Sequence, residues 1–271
     1  MIINEITAKE AIVKSKLPSA DYVVNSYTGC THKCIYCYAE FMKRFSNHSE
    51  NWGEFIDIKT FDKIRIPKNI ENKYVFISSV TDPYNHFEKK YERTKQVLEI
   101  LINTDCYISI LTKSDLVLRD LDIFKCFRNI EVGISINTTD DNFRKIIEPK
   151  AAAIKERINI LKILKENTIK NYLFMSPIFP FLSDYKDIIE KTGNFVDYYC
   201  FENLNLRAGY KHRVLNMIKN NYPDLMKRYV DIFENNNLIY WQNLEKEIKC
   251  YCKENKIKYK LYFYHDKIKK K

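Results

Sequence analysis

From residue 74 to residue 201 the chain repeats one alternation: a short apolar run rich in β-branched and aromatic side chains, then a longer stretch with helical spacing. Residues 74–78 (YVFIS), 107–112, 130–136, 172–179 and 196–201 read as buried strands. Between them, Tyr91, Thr94, Leu98, Leu101 and Ile102 share one face of a helix predicted over 88–103. Leu118, Leu121 and Phe124 share another, capped by Ser114 or Asp115, and Ile154, Ile158, Leu161 and Leu164 a third. Strands that alternate with helices pair in parallel through right-handed crossovers. With one more strand near 22–27, about six β/α units precede residue 210, too few to close an eight-unit barrel. The expected fold class is α/β: a partial (β/α)6 TIM-like barrel over residues 1–210. A mainly helical C-terminal extension, 211–271, is expected to pack on it, with a possible strand at 258–264. Chemistry in such folds sits at the C-terminal ends of the strands.

Just after the first predicted strand comes GCTHKCIYCY, residues 29–38, in which Cys30, Cys34 and Cys37 have C-x3-C-x2-C spacing. Three thiolates from one short loop suit three irons of a cubane cluster and leave the fourth iron open to an exogenous ligand. Gly29 permits a tight turn at the loop entrance. A zinc site is the competing reading, but zinc sites favour paired C-x2-C units or Cys/His pairs. Here there is one C-x2-C, and His32 lies between two of the ligands. Cys106, Cys126, Cys200, Cys250 and Cys252 are scattered and form no compact ligand loop for an auxiliary cluster. Clustered cysteines point to metal rather than disulfides in a reducing compartment.

The remaining composition narrows the class. No run of about 18 apolar residues occurs, so no transmembrane helix is expected, and residues 1–10 lack a signal-peptide design. The expected location is the cytoplasm. The formal net charge of +10 suits a nucleic-acid partner, although a chain rich in Lys, Asn, Ile and Tyr also reaches such a charge by compositional drift. The basic run at 267–271 reads as a solvated end.

The cysteine loop resembles the signature of the radical S-adenosylmethionine (SAM) superfamily. The stretches at 25–39, 78–94, 111–120, 131–141, 146–158 and 201–210 look like its spore photoproduct lyase-like branch. The resemblance implies a [4Fe–4S] cluster held by Cys30, Cys34 and Cys37, with SAM chelated at the open iron. It also implies reductive cleavage to a 5′-deoxyadenosyl radical that abstracts hydrogen from a substrate, with electrons from a flavodoxin- or ferredoxin-type donor. Nucleic acid is the first substrate class it suggests and a peptide or protein the second. A non-enzymatic zinc module that contacts nucleic acid is the alternative from another class. Oligomeric state is not legible.

The same resemblance suggests cosubstrate contacts. Tyr36, before the third cysteine, would lie along the adenine. Where many members carry Gly-Gly-Glu for the methionine amino group, this chain has Ser78, Ser79, Val80, Thr81 and Asp82, so Ser79 and Thr81 are the candidates there. Lys113 would meet the methionine carboxylate and Ser135 the ribose or carboxylate. Asp82-Pro83 reads equally as a simple turn. Glu148-Pro149, Glu202, Asn203 and Asn205 suit a site rim or ordinary loops. Photoproduct lyases carry a hydrogen-returning cysteine just after the second strand. Ser79 and Val80 stand there instead, so the DNA-repair activity itself is not expected.

Overall fold

The β-branched runs become the strands of one parallel sheet. The computed structural model describes residues 1–263. Its strands are β1 (Ile2–Thr7), β2 (Ile12–Lys14), β3 (Tyr22–Val24), β4 (Tyr27–Thr28), β5 (Phe55–Thr60), β6 (Tyr74–Ile77), β7 (Tyr107–Thr112), β8 (Ile130–Ser135), β9 (Lys170–Ile178), β10 (Tyr198–Asn203) and β11 (Tyr259–Leu261). Its helices are α1 (Glu88–Tyr91), α2 (Arg93–Leu101), α3 (Leu121–Lys125), α4 (Asp141–Ile147), α5 (Ile154–Glu166), α6 (Tyr185–Thr192), α7 (Ala208–Asn221), α8 (Met226–Phe233) and α9 (Ile239–Glu254).

The main sheet has the order β11-β10-β9-β8-β7-β6-β3-β2. Strands β3 and β6 to β10 run parallel in sequence order, which is the six-unit partial barrel the alternation predicts. Both edges are extended. Antiparallel β2 borders β3, and β11 adds a parallel strand beside β10. The helical extension therefore returns to the sheet, and residue 210 falls inside α7. Tyr264 and the basic run 267–271 lie outside the described residues.

Side chains alternate across each strand. Ile108, Ile110, Val132, Ile134, Leu173, Met175 and Phe201 join the core beneath the helices. Tyr172, Tyr198 and Cys200 form a separate cluster with Leu111, Phe174 and Tyr262 on the opposite, inner face. Gly133 makes that cluster possible: a Cβ there would lie 2.2 Å from the Tyr172 ring.

Two local differences from the pattern have physical causes. The single helix expected over 88–103 is broken at Glu92, which is left-handed at φ 51°. The break frees the buried Glu88 carboxylate to accept from Thr94 N (3.0 Å) and Lys95 N (3.2 Å), capping α2, while it also takes Arg119 Nη2 (2.8 Å) and the Tyr27 hydroxyl. Second, the strand expected over 22–27 divides. After β3 the chain leaves the main sheet, and β4 pairs with β5 in a small sheet of order β1-β5-β4 that the strand–helix pattern did not signal.

This small sheet holds a histidine between two carboxylates. His48 Nε2 lies 2.8 Å from Asp57 Oδ1 and its Nδ1 3.2 Å from Glu50 Oε2, with the ring stacked on Phe55 at 3.8 Å. Asn4 Nδ2 approaches both His48 and Asp57. Burial pulls the imidazole pKa down, but Asp57 and Glu50 outweigh it and hold the value above the ordinary one. With an unfolded value of about 6.5, this contribution to stability is complete below that pH. It is lost as pH rises through the higher folded value. The thermal midpoint should therefore fall more steeply between pH about 6 and about 8 in the parent than in His48→Gln. Parallel curves would remove His48 as the source.

Candidate active site

The cysteine loop, residues 29–37, runs from β4 to a 3-10 helix at Tyr38–Phe45 and lies across the C-terminal ends of β6, β7 and β8. Gly29 adopts φ 93°, and a Cβ there would lie 2.5 Å from the Phe55 carbonyl oxygen, so glycine is required on both counts. The hydroxyl of Thr81 donates to the Gly29 carbonyl at 2.5 Å. Cys30, Cys34 and Cys37 are free and half-buried. Burial pushes the Cys30 thiol up to about 12, with Asp82 and Cys37 adding to the rise. Burial raises Cys34 and Cys37 too, against the Ala39 N–H and the Trp52 indole beside Cys37. A cationic centre bound by the three thiols would favour their thiolate forms.

Two anchors hold the loop. Asp82 is the first: Oδ1 accepts from Thr112 Oγ1 (2.6 Å) and Tyr84 N (2.9 Å), Oδ2 accepts from Lys113 N (2.8 Å), and Oδ2 lies 3.3 Å from His32 Nδ1. The carboxylate thus joins the ends of β6 and β7 to the cysteine loop. His32 is 3% exposed. Burial lowers its pKa to about 4, further aided by Lys113 and Arg157 against Asp82, so it is neutral and turned to Asp82.

Tyr36 is the second anchor. Its hydroxyl donates to Glu148 Oε1, and Asn137 Nδ2 donates to both, at 3.2 Å each. Glu148 and Arg157 are fully buried and form an ion pair at 2.6 Å. Arg157 Nη1 donates to the Ser135 carbonyl (2.9 Å) and Nε to the Ala152 carbonyl (2.9 Å). Burial pushes the Glu148 pKa up, but Arg157, Lys113 and the Tyr36 hydroxyl hold it below the usual carboxylate value. The backbone completes the seam, with Ile35 N donating to Ile147 O (3.0 Å) and Lys150 N to His32 O (3.2 Å).

The structure places the remaining expected contacts as follows. The Lys113 ammonium lies 5.9 Å from the Tyr36 ring centroid. Burial lowers its pKa, but Glu148 and Cys34 raise it further, so it stays charged. Ser135 is buried at the end of β8, and its hydroxyl has no hydrogen-bond partner. Ser79 is half-buried; its N–H donates to Asn25 Oδ1 (2.9 Å), and its carbonyl accepts from the Tyr38 hydroxyl. Thr81 faces the loop backbone, as described. Tyr36 and Lys113 therefore stand beside Cys34, Ser135 is tied to the same seam through its carbonyl on Arg157, and Thr81 meets the loop at Gly29. Glu202 accepts from Ser176 Oγ at the β9–β10 rim.

Several participants were missed in the sequence. Asn137 is fully buried with Oδ1 unpartnered, directly after the β8 run. Asn25 organises the turn at 78–80 through Ser79 N and Val80 N. Glu40 accepts from Tyr210 N (3.0 Å) at the start of α7 and pairs with Arg213, whose Nε also donates to Ile35 O (3.2 Å). A signal for the Glu148–Arg157 pair was available: Arg157 interrupts the apolar face Ile154, Ile158, Leu161, where a cation demands a buried anion.

The donor set fits a polynuclear cluster. Among the described residues no three His, Cys, Asp or Glu side chains converge as a single-ion site requires. His32, the nearest fourth ligand for zinc, is turned to Asp82. Unpartnered Ser135 Oγ and Asn137 Oδ1 leave polar atoms for a bound molecule beside the loop. Two shallow surface hollows, about 560 and 390 Å3, lie elsewhere, lined by Phe61, Gln96 and Asn103 and by Phe181, Arg228 and Tyr240 respectively.

The sequence model of the Radical SAM superfamily matches residues 24–192. An uncharacterized protein of Methanocaldococcus jannaschii is 43% identical over 244 residues, covering 84% of this chain and 90% of its own length. An uncharacterized protein of Acidianus two-tailed virus is 31% identical over 60% of this chain and 57% of its own. Among solved structures, spore photoproduct lyase complexed with dinucleoside spore photoproduct superposes with TM-score 0.56 at 17% identity, over 82% of this chain and 76% of that one. Streptococcus suis SuiB bound to S-adenosylmethionine gives TM-score 0.56 at 15% identity, over 89% and 49%. These likenesses are of fold.

Removing one partner of a buried ion pair leaves the other uncompensated. Glu148→Ala should therefore lower stability in urea denaturation by about 3–5 kcal/mol. Glu148→Leu combined with Arg157→Met should recover much of that loss. A single-variant loss under about 1 kcal/mol would mean that water reaches Arg157 and the pair is not the anchor described.

Proposed function

The chain belongs to the Radical SAM superfamily, and from that premise we propose that Cys30, Cys34 and Cys37 hold its [4Fe–4S] cluster and that the enzyme abstracts hydrogen from a nucleic acid. When bound, the cluster supplies the electron that cleaves S-adenosylmethionine to a 5′-deoxyadenosyl radical. The observation that carries this reading is the set of three free thiols in one loop, near a half-buried lysine and two buried polar atoms without partners. No helix among the described residues is long and apolar enough to cross a membrane.

The chain's own residues divide the work of binding. Lys113, kept charged by Glu148 and Cys34, meets the methionine carboxylate. Ser135 Oγ and Asn137 Oδ1 give a donor and an acceptor for ribose or adenine, and each gains the partner it lacks. Ser79 serves the amino end. Thr81 acts by fixing the loop entrance at Gly29. Tyr36 acts through its ring, since its hydroxyl is committed to Glu148. A low-potential protein of the flavodoxin or ferredoxin type supplies the electron. Two features support a nucleic-acid substrate: the net charge of +10, and the dinucleoside bound by a fold-related lyase.

Anaerobic reconstitution with iron and sulfide should give about four irons per chain. The reduced protein should then release 5′-deoxyadenosine from S-adenosylmethionine, and Cys34→Ala should abolish this release. A fully loaded cluster that never cleaves S-adenosylmethionine with any reductant would defeat the reading. Zinc bound without sulfide would favour a zinc module instead.

A further inference from the structure

Beyond the third cysteine the chain carries an aromatic ladder that cosubstrate binding does not use. Residues Tyr38–Phe45 form a 3-10 helix, and at three residues per turn positions 38, 41 and 44 fall on one line. Tyr38 and Phe41 stack at 6.5 Å with planes 25° apart. The Arg44 guanidinium lies 5.5 Å from the Phe41 centroid and 4.7 Å from that of Phe45. Tyr38, Phe41 and Phe45 are 58%, 42% and 68% exposed; Phe45 lies off the 38–41–44 line and is joined to Phe41 through Arg44, which approaches both rings. The Tyr38 hydroxyl donates to the Ser79 carbonyl, so the ladder starts at the rim of the site. Charge on this helix is one-sided. Its single acid, Glu40, is bound to Tyr210 N and Arg213, leaving Arg44 and Lys43 as the charges beside the rings.

We propose that this ladder binds an unpaired stretch of nucleic acid, with bases stacked on Tyr38, Phe41 and Phe45 and a phosphate on Arg44. Stacking on aromatic side chains beside cationic groups is how single strands are held without sequence preference. Two stacked rings and a third across the intervening guanidinium match the bases and phosphate of one strand. A specific protein partner would instead need a broad patch of roughly 1,200 Å2 or more in total. The inference deepens the nucleic-acid reading of the same site and rests on it.

Fluorescence anisotropy of a labelled oligo(dT) with the reconstituted protein tests it. Binding should weaken with rising salt, and Phe41→Ala with Phe45→Ala should weaken it at least about tenfold. Arg44→Gln should reduce the salt slope. An abasic oligomer of equal length should bind as poorly as the double variant. Iron content and 5′-deoxyadenosine release, measured on the same samples, should be unchanged by these exposed substitutions. Absence of oligomer binding by the parent, equal binding by the variants, or equal binding of the abasic oligomer would each overturn the ladder. So would variants that bind normally but accept electrons more slowly from reduced flavodoxin, which would make this the reductant's docking face. Failure of S-adenosylmethionine cleavage in the parent would instead strike the radical reading itself.

Discussion

The Glu148 carboxylate under Arg157 is the constraint from which the rest of the site is built. Burying two charges costs several kcal/mol per ion, and this pair is fully buried. The cost is offset in part by the mutual attraction of the pair and by the two carbonyls that accept from Nη1 and Nε. One arm holds the end of β8 at the Ser135 carbonyl, and another holds Ala152, whose own N–H reaches the Lys113 carbonyl at the end of β7. The carboxylate in turn holds Tyr36 in the middle of the cysteine loop. One ion pair therefore sets the register between two strand ends, α5 and the loop. Lys113 and Ser135 inherit their positions from it.

Asp82 does the corresponding work on the other flank, and the two anchors explain how a loop with few helical or sheet bonds keeps three cysteines in place. His32 and Tyr36 bracket Cys34, each held by a buried carboxylate. Thr81 and Gly29 close the loop entrance. Precision at a metal site comes from such supporting contacts as much as from the ligands. It also explains why Asp82, whose sequence suits a turn and a binding role equally, and Glu148, which suits a turn at the site rim, are neither exposed nor free.

The parallel sheet was legible because each of its strands is a β-branched run with a helical stretch behind it. The start of β7 at Tyr107 and its end at Thr112 were read to the residue. The small sheet was not legible: β4 has two residues, and β1 and β5 pair at a separation of 53 residues with a 3-10 helix, Tyr38–Phe45, rather than an α-helix between them. The cysteine spacing identified the loop, since a motif of local chemistry needs no tertiary information. The hydroxyl of Tyr36, the amides of Asn25 and Asn137 and the carboxylate of Glu40 acquire their roles from partners between 53 and 173 residues away, apart from the Asn137–Glu148 bond. Spacing along the chain carries no trace of such contacts. Arg157 is the exception, because a guanidinium on an apolar helix face is itself evidence of a buried anion.

The inner face of the sheet limits how anything reaches this site. Toward the N-terminal strand ends it is filled: Tyr172 occupies the space left by Gly133 and stacks on Tyr198 at 5.1 Å, and Lys260 covers Tyr198 at 4.5 Å. Cys200 is buried among them, its thiol pushed up to about 12 by burial. This floor leaves the layer at the C-terminal strand ends, where the cysteine loop lies, for the chemistry proposed above. A base inside a duplex is stacked and cannot reach such a layer without being extruded, at a cost of a few kcal/mol. A base already unpaired avoids that cost. For the nucleic-acid substrate proposed above, the filled floor and the exposed rings at residues 38–45 would both suit a single strand laid across the mouth with one nucleotide turned inward.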